Sequence, residues 1–502
     1  MRPCLNALHL VAAILLSKSF YMSAPTSPIL AEIPKVKKTV LSRDTSPFRN
    51  FATVWAIATL FHMAHSGVFD TRLNFALLTL SAIYVIFRPS MSGFLVLVML
   101  QLLDVAVQMP NPTNHWIFTA FVNLTILQSV FWCIIRNKSF QVDEMEVYNT
   151  FAPIVRWEVM ILYFWAVFHK LNFDFFSPEA SCASTLLEAQ RLGPLLTYFP
   201  QFLSLNPYFT ILVELAIPVM LFFPRTRHLG IIVGLFFHLI LSYSTYNAFF
   251  DFTSMVIAAY FLFAHSEFHR RADQWRNQLR ERIKSILSGY SFSRLIGICM
   301  GAVFLMGVVA VLNKKLYTFK EFHLYFFWTL YAVIIAYVLV RFLFNTKATY
   351  GSAFALKSKW FLILPVIVFL NGASPYLGLK TENSYSMFSN LRTEGAVSNH
   401  FIIPASAQIF DFQSNLVEII SSTDERLERL VERGEMMVLF EFKRYLMKYD
   451  VDEVVYRLNG KLDVYRKGET PLAGLLEPDA AILYRLMRFR NVSMDDQQPC
   501  AH

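Results

Sequence analysis

Residues 163–172 read YFWAVFHKLN and close a strongly apolar helix with His169 and Lys170 side by side. Two polar residues at the end of such a helix admit two readings. In one, Lys170 lays its stem along apolar surface and lifts its ammonium to the lipid headgroups as an anchor. In the other it is a desolvated lysine that acts as a base. The choice depends on what surrounds the stretch, and most of that is built for lipid.

Of 502 residues, 55% are hydrophobic and only 16% charged, and 49 are phenylalanine. The mean hydropathy is +0.43. A soluble chain carries about a quarter of its residues as charges. The fold class is therefore an all-α polytopic membrane protein of about 11 transmembrane helices, with a small C-terminal extracytoplasmic α+β region. Spans are predicted at about 51–69, 73–88, 92–109, 116–135, 156–171, 208–223, 229–246, 251–265, 294–313, 323–344 and 359–373. Three regions follow: an N-terminal cytoplasmic segment (1–48), a helical membrane domain (49–374) and a tail (375–502). Leu8–Leu16 also fits a signal-peptide core, and Met22 is an alternative start.

The formal charge of +9 does not point to nucleic acid, because the cations fall between apolar segments as topology signals do. HRRADQWRNQLRERIK (269–284) is the strongest such signal, and Trp275, Leu279, Ile283 and Leu287 recur along it every four residues. It reads as an amphipathic helix on the cytoplasmic surface. Counting backwards leaves Arg225, Arg227, Arg136 and Lys138 inside with the N-terminus; only Lys314, Lys315 and Lys320 fall on the other side. Counting forwards puts the tail outside, and places Lys170 where span five opens into an outer loop, 172–207, expected to form short helices. The membrane is a bacterial inner membrane or a eukaryotic endomembrane. Five cysteines (Cys4, Cys133, Cys182, Cys299, Cys500) form no zinc pattern or disulfide framework, although this topology permits a Cys182–Cys500 bridge.

In the tail, Asp411–Ile420 reads as a strand, and Ser422–Glu425 as a capping box opening a helix that stops at Gly434. Asn459-Gly460 joins Glu453–Leu458 to Lys461–Arg466 as a hairpin, and Asp479–Arg490 reads as helical.

Ionisable residues inside apolar spans are functional candidates, since each is costly without a partner or water. Asp104, His115, Arg156, Glu158, Lys170, Glu214 and His238 are of this kind. Arg156 and Lys170 lie roughly on one helix face, about 21 Å apart. Glu214 and Asp104 have a structural alternative, as partners that lock helix packing. His62 and His65 stand one turn apart, but no cysteine or carboxylate pattern completes a metal set, so no metal is expected.

The order of several segments carries a resemblance: Arg156, then YFWAVFHKLN, an outer loop, ELAIPVMLFF from Glu214, Arg225 and Arg227, GLFFH ending at His238, and FFDFTSMVIAAYFLF. Together they resemble the vitamin K-dependent γ-carboxylase group, which shares the horizontally transferred transmembrane domain. The resemblance covers about residues 40–390 and is best over 95–265. It implies that Lys170, in the place of a family lysine within an AGVKKL-like segment, is the base acting on the vitamin. It implies a carboxylation role for His115, which follows Asn114, and it aligns His238. Tyr163, His169, His238 and Tyr385 are then the candidate cofactor-binding residues, with Arg156, Glu214 and Asp104 as charge partners. Three departures stand out. The first lysine of the family's pair is His169 here. The interval from Asp104 to His115 is longer. The tail is much shorter than the family's propeptide-gripping region, and Tyr385-Ser386-Met387 matches a YSWDMM-like segment only loosely.

The implied chemistry couples oxidation of reduced vitamin K or another quinol by O2 to proton removal from a glutamyl γ-carbon, which CO2 then traps. The implied partners are the bilayer, the quinol and a glutamate-containing protein or peptide, without nucleic acid. Such chemistry needs a neutral lysine, entry for a quinol through lipid, and exclusion of water from a strong base. The alternative is a non-catalytic quinone- or lipid-binding protein, or a small-solute carrier, that keeps the fold without the reaction. Transporters show inverted repeats or paired broken helices, and here only Pro218 interrupts a span well inside.

Overall fold

The computed structural model of the chain describes residues 44–502 except 67–71, 191–197, 200, 245–248, most of 292–321, 345–352, 469–478, 495–496 and 501–502. The Leu8–Leu16 run, the alternative start at Met22, most of the expected span 294–313 and Lys314, Lys315 and Lys320 lie outside the described residues.

Apolar runs, and the arginine-rich stretch of α10, become helices: α1 Ser46–Ser66, α2 Leu73–Phe87, α3 Met91–Gln108, α4 Asn114–Asn137, α5 Glu144–Phe168, α6 Cys182–Glu188, α7 Gln201–Phe222, α8 Arg227–Leu241, α9 Phe250–Phe261, α10 Ser266–Ser288, α11 Phe322–Leu343 and α12 Ile363–Leu377. Among the described residues, six are long and apolar enough to cross a membrane: α3, α4, α5, α7, α11, and α12 with the 3-10 turn that leads it. α2, α8 and α9 are apolar but shorter. Twelve residues, as in α9, rise only about 18 Å, against a hydrocarbon core of about 30 Å. α7 shows why bilayer is the natural surround, since Phe209, Leu212, Leu215 and Val219 lie on an exposed apolar face.

α1 is not among the six. It is instead an inner helix, with Phe48, Phe51, Trp55 and Met63 buried and several of its polar side chains bonded inside the bundle. Trp55 donates to Gln101 and Gln101 donates to Thr59, tying α1 to α3. α5 begins earlier than its apolar stretch predicts, because Asp143 caps it by accepting from the Glu146 N–H at 2.8 Å. α7 starts at Gln201 rather than near 208, and carries Pro207 and Pro218 inside it. Loop 172–207 contains a 3-10 turn, Asp174–Phe176, and the short helix α6.

The arginine-rich stretch is helical as α10, and lies against the start of α1. There the Asn50 side chain donates to the His269 carbonyl at 2.8 Å, and Arg276 donates to Thr53. His62 stands near the opposite end of α1, so the basic helix and the polar cluster around His62 occupy opposite ends of the bundle.

The tail forms an antiparallel sheet ordered β4-β3-β1-β2-β5: β1 Leu416–Ser422, β2 Glu435–Val438, β3 Glu453–Leu458, β4 Lys461–Arg466 and β5 Val492–Ser493. The hairpin turns on Asn459 and Gly460, both in the left-handed region (φ 50° and 79°), as a tight two-residue turn requires. Helix α13, Glu425–Arg433, is capped by Asp424 rather than Ser422. The Asp424 carboxylate accepts from the Arg426 and Leu427 N–H groups, while Glu428 reaches back to the Ser422 N–H. Helix α14, Leu439–Lys448, and strands β2 and β5 were not expected from sequence. The predicted helix 479–490 shrinks to α15, Ala481–Leu486, because Arg488 and Arg490 are drawn into bonds with the loop after α12. Cys182 at the start of α6 is disulfide-bonded to Cys500 at the end of the tail.

Candidate functional site

Helix ends converge on a cavity of about 520 Å³ at the end of the bundle away from α10. Lys170, just past the end of α5, lines it with Glu214 of α7. Their Nζ and Oε2 atoms are 2.7 Å apart, both residues are buried, and Lys170 also donates to the Ala166 carbonyl at 3.0 Å. Pro218, four residues beyond Glu214, has no N–H to give the Glu214 carbonyl, so α7 is loosened where the carboxylate is needed. A buried ion pair in this setting holds both partners, because removing either leaves the other charge uncompensated.

Next to this pair stands a chain of aromatic and imidazole groups. The Tyr163 hydroxyl is hydrogen bonded to His238 Nε2 at 2.8 Å and also to the Tyr260 hydroxyl. Gly234 makes room for it: a Cβ there would sit 2.2 Å from the Tyr260 hydroxyl oxygen. His238 Nδ1 is buried and has no hydrogen-bond partner among the described residues. Tyr385 closes another part of the wall from the loop after α12. That loop is unusual, because Asn383, Tyr385, Phe388 and Asn390 all have positive φ (54° to 65°). Side-chain bonds hold it there: Asn114 Oδ1 accepts from the Tyr385 N–H at 2.7 Å, and Asn383 donates to the Pro110 carbonyl at 2.8 Å. Strained backbone over-determined by its surroundings is a mark of a built site.

On a third part of the wall, His115 Nε2 lies 3.2 Å from Asp251 Oδ2 and 3.4 Å from His62 Nδ1, and all three residues are buried. His115 opens α4, Asp251 lies in the first turn of α9, and His62 comes from the last turns of α1. At the tail-side rim, Arg488 donates to Asn111 at 2.8 Å, and its carbonyl accepts from the N–H groups of Thr381 and Glu382. Burial raises the Glu382 carboxyl above the usual carboxylate range.

The sequence-named residues therefore divide. Lys170, His115, Tyr163, His238, Glu214 and Tyr385 all line the one cavity. His169, Asp104 and Arg156 are not among its lining residues. His169 turns to the tail-side loop: its Nε2 donates to the Ser384 carbonyl and its Nδ1 accepts from the Tyr376 hydroxyl, both at 3.1 Å. Its ring also stacks on Trp165 and Tyr376. Asp104 holds neighbours in place, accepting from Trp116, Gln108 and Asn74. Arg156 donates to the carbonyls of Leu262 and Ala353, and Glu158 accepts from Thr125 at 2.5 Å. The His65 side chain lies outside the described set. Sequence reasoning missed Tyr260 and Asp251. An aspartate inside the apolar run FFDFTSM was the signal for the second.

The cavity offers an amine paired to a carboxylate, a phenol–imidazole chain and a second imidazole beside a carboxylate, enclosed by Phe118, Phe237, Phe252 and Phe388. Such a wall can hold a flat, amphiphilic ring and move protons at its oxygens. No protein-family model matches the chain, and no curated protein or solved structure does.

Proposed function

We propose that this chain is an integral membrane enzyme similar to the quinol-dependent γ-glutamyl carboxylases. In this reading the quinol ring enters the cavity from lipid and Lys170 removes a proton from its hydroxyl. The observation that carries the reading is the meeting of Lys170, His115, His238, Tyr163 and Tyr385, taken from distant parts of the chain, on one cavity. An ion-paired ammonium is not a base, so its proton has to leave first. Glu214 Oε2, at 2.7 Å, is the acceptor in reach. A bound quinol would supply the stronger base: its oxidation by O2 to the quinone epoxide and water would take up the glutamyl γ-proton, and CO2 would form the new C–C bond with the carbanion left behind.

The finer topology belongs to the same proposal: about eleven spans, the N-terminus and α10 at the cytoplasmic face, and the cavity rim and tail outside. The Cys182–Cys500 bridge supports it, since disulfides persist in oxidising compartments. So do the arginines of α10 at the far end of the bundle.

A second reading is a quinone- or lipid-binding protein without turnover, and the Lys170–Glu214 pair favours it, because a stable ion pair withholds the base. Membranes containing the protein, given a reduced quinol, labelled bicarbonate and a glutamate-bearing peptide, separate the two. Enzyme action predicts quinol- and O2-dependent label in the peptide, lost in Lys170→Ala. Quinone binding with no label in any peptide contradicts the enzyme and leaves the binding protein.

A further inference from the structure

His62, His115 and Asp251 present three ligand-type atoms, all within 4.8 Å of one another. The separations are 3.2 Å (His115 Nε2 to Asp251 Oδ2), 3.4 Å (His115 Nε2 to His62 Nδ1) and 4.0 Å (His62 Nδ1 to Asp251 Oδ2). Ligands at about 2.0–2.1 Å from a tetrahedral ion stand about 3.3 Å apart. Two of the three distances already have that value, and the third closes to it with a shift of about 0.7 Å.

His115 Nε2 faces Asp251 Oδ2, His62 Nδ1 and the Thr113 hydroxyl at 3.2 Å, and one N–H can be given to only one of them. A cation at this point would take a lone pair from the carboxylate and from both imidazoles together.

Two of the three ligands are also held in position by their neighbours. The other Asp251 oxygen, Oδ1, accepts from the Phe252 N–H at 2.6 Å, which aims Oδ2 at the histidines. The His62 ring lies flat on Trp116, with centroids 3.7 Å apart and planes at 15°. Trp116 in turn donates to Asp104 at 2.9 Å. Outer partners of this sort fix the orientation of metal ligands. His115 and Asp251 line the cavity and His62 stands behind them.

We propose that His62, His115 and Asp251 bind one divalent transition-metal ion in the cavity wall, leaving a coordination position that faces the cavity for an oxygen ligand. Two imidazoles and one carboxylate suit zinc, iron(II) or cobalt(II) rather than magnesium or calcium, which take oxygen shells. Three protein ligands with an open position are the pattern of a reactive metal site, not of a closed structural one. The site goes beyond the quinol reading and does not depend on it.

The test is Co2+ titration of the full-length protein in detergent after treatment with a chelator. One equivalent should bind and give visible d–d absorption. Asp251→Asn and His62→Gln should each weaken uptake at least about tenfold, and His228→Gln should leave it unchanged. Where a variant fails to fold, X-ray absorption at the cobalt edge of the unaltered protein decides: two imidazoles plus oxygen support the site, and any other shell overturns it. Absence of stoichiometric Co2+ in the folded protein, or a spectrum unchanged in both variants, also overturns it. Quinone binding is measured separately, so failure of the metal site and failure of the quinol reading are distinguishable.

Discussion

His169 and Lys170 are adjacent and both buried, yet they belong to different regions of the molecule. Lys170 faces the cavity and, among the described residues, has a single counter-charge, Glu214. His169 faces the seam between the end of α5 and the tail-side loop, where both ring nitrogens are bonded and the ring is stacked on two aromatics. His169 is fully bonded without a ligand. The cavity holds a charge pair that can exchange a proton and a His238 nitrogen with no partner among the described residues. Burial alone therefore does not separate these two residues, but their bonding partners do.

Breaking the pair on the cavity side should have the largest effect. Lys170→Met leaves Glu214 buried and uncompensated, which costs roughly 3–5 kcal/mol and abolishes turnover. Adding Glu214→Gln should restore most of the stability and none of the activity. Denaturation and label incorporation, measured on both variants, check this; equal stability of the two would show that the pair does not hold charge.

On the seam side, His169→Ala removes two hydrogen bonds and the stacked ring, with an expected loss of about 2–4 kcal/mol. Quinone affinity should change less than threefold. A large loss of affinity in folded His169→Ala protein would move His169 into the site.

Gly234→Ala probes the phenol chain, since the new methyl would displace the Tyr260 hydroxyl from Tyr163. Overpacking of this kind costs about 1–3 kcal/mol.

The smallest expected effect concerns pH. His400 donates from Nε2 to the Phe168 carbonyl, and its Nδ1 accepts from the Ile402 and Ile403 N–H groups. Burial holds it below the ordinary histidine range, so it is neutral in the fold. Its contribution is complete above about pH 6.5 and is lost as pH falls toward the lowered value, at no more than about 1.4 kcal/mol per pH unit. Thermal unfolding between pH 7 and 5 should show that slope, and His400→Gln should flatten it.

Much of this was legible locally. Apolar length marked α3, α4, α5, α7, α11 and α12, and Asn459-Gly460 marked its hairpin, because those signals lie within one segment of chain. Intramembrane charge and the order of segments singled out Lys170, Glu214, His115 and His238. What could not be read was pairing across helices. Nothing in local spacing says that Glu214 meets Lys170 rather than a histidine or an arginine. Nor does it say that His62 meets His115 of α4 and Asp251 of α9. The short strands β2 and β5 escaped because they are defined by their neighbours, not by their own pattern.

The central claim is that this cavity is where a quinol is held against Lys170, and photolabelling tests it most directly. A photoreactive quinone analogue, activated in membranes and mapped by mass spectrometry, should attach to cavity residues such as Tyr163, Tyr385 and Phe388. An excess of unlabelled quinone should prevent that attachment. Labelling confined to exposed apolar faces such as Leu212 and Val219 of α7, with no protection by quinone, would contradict the account.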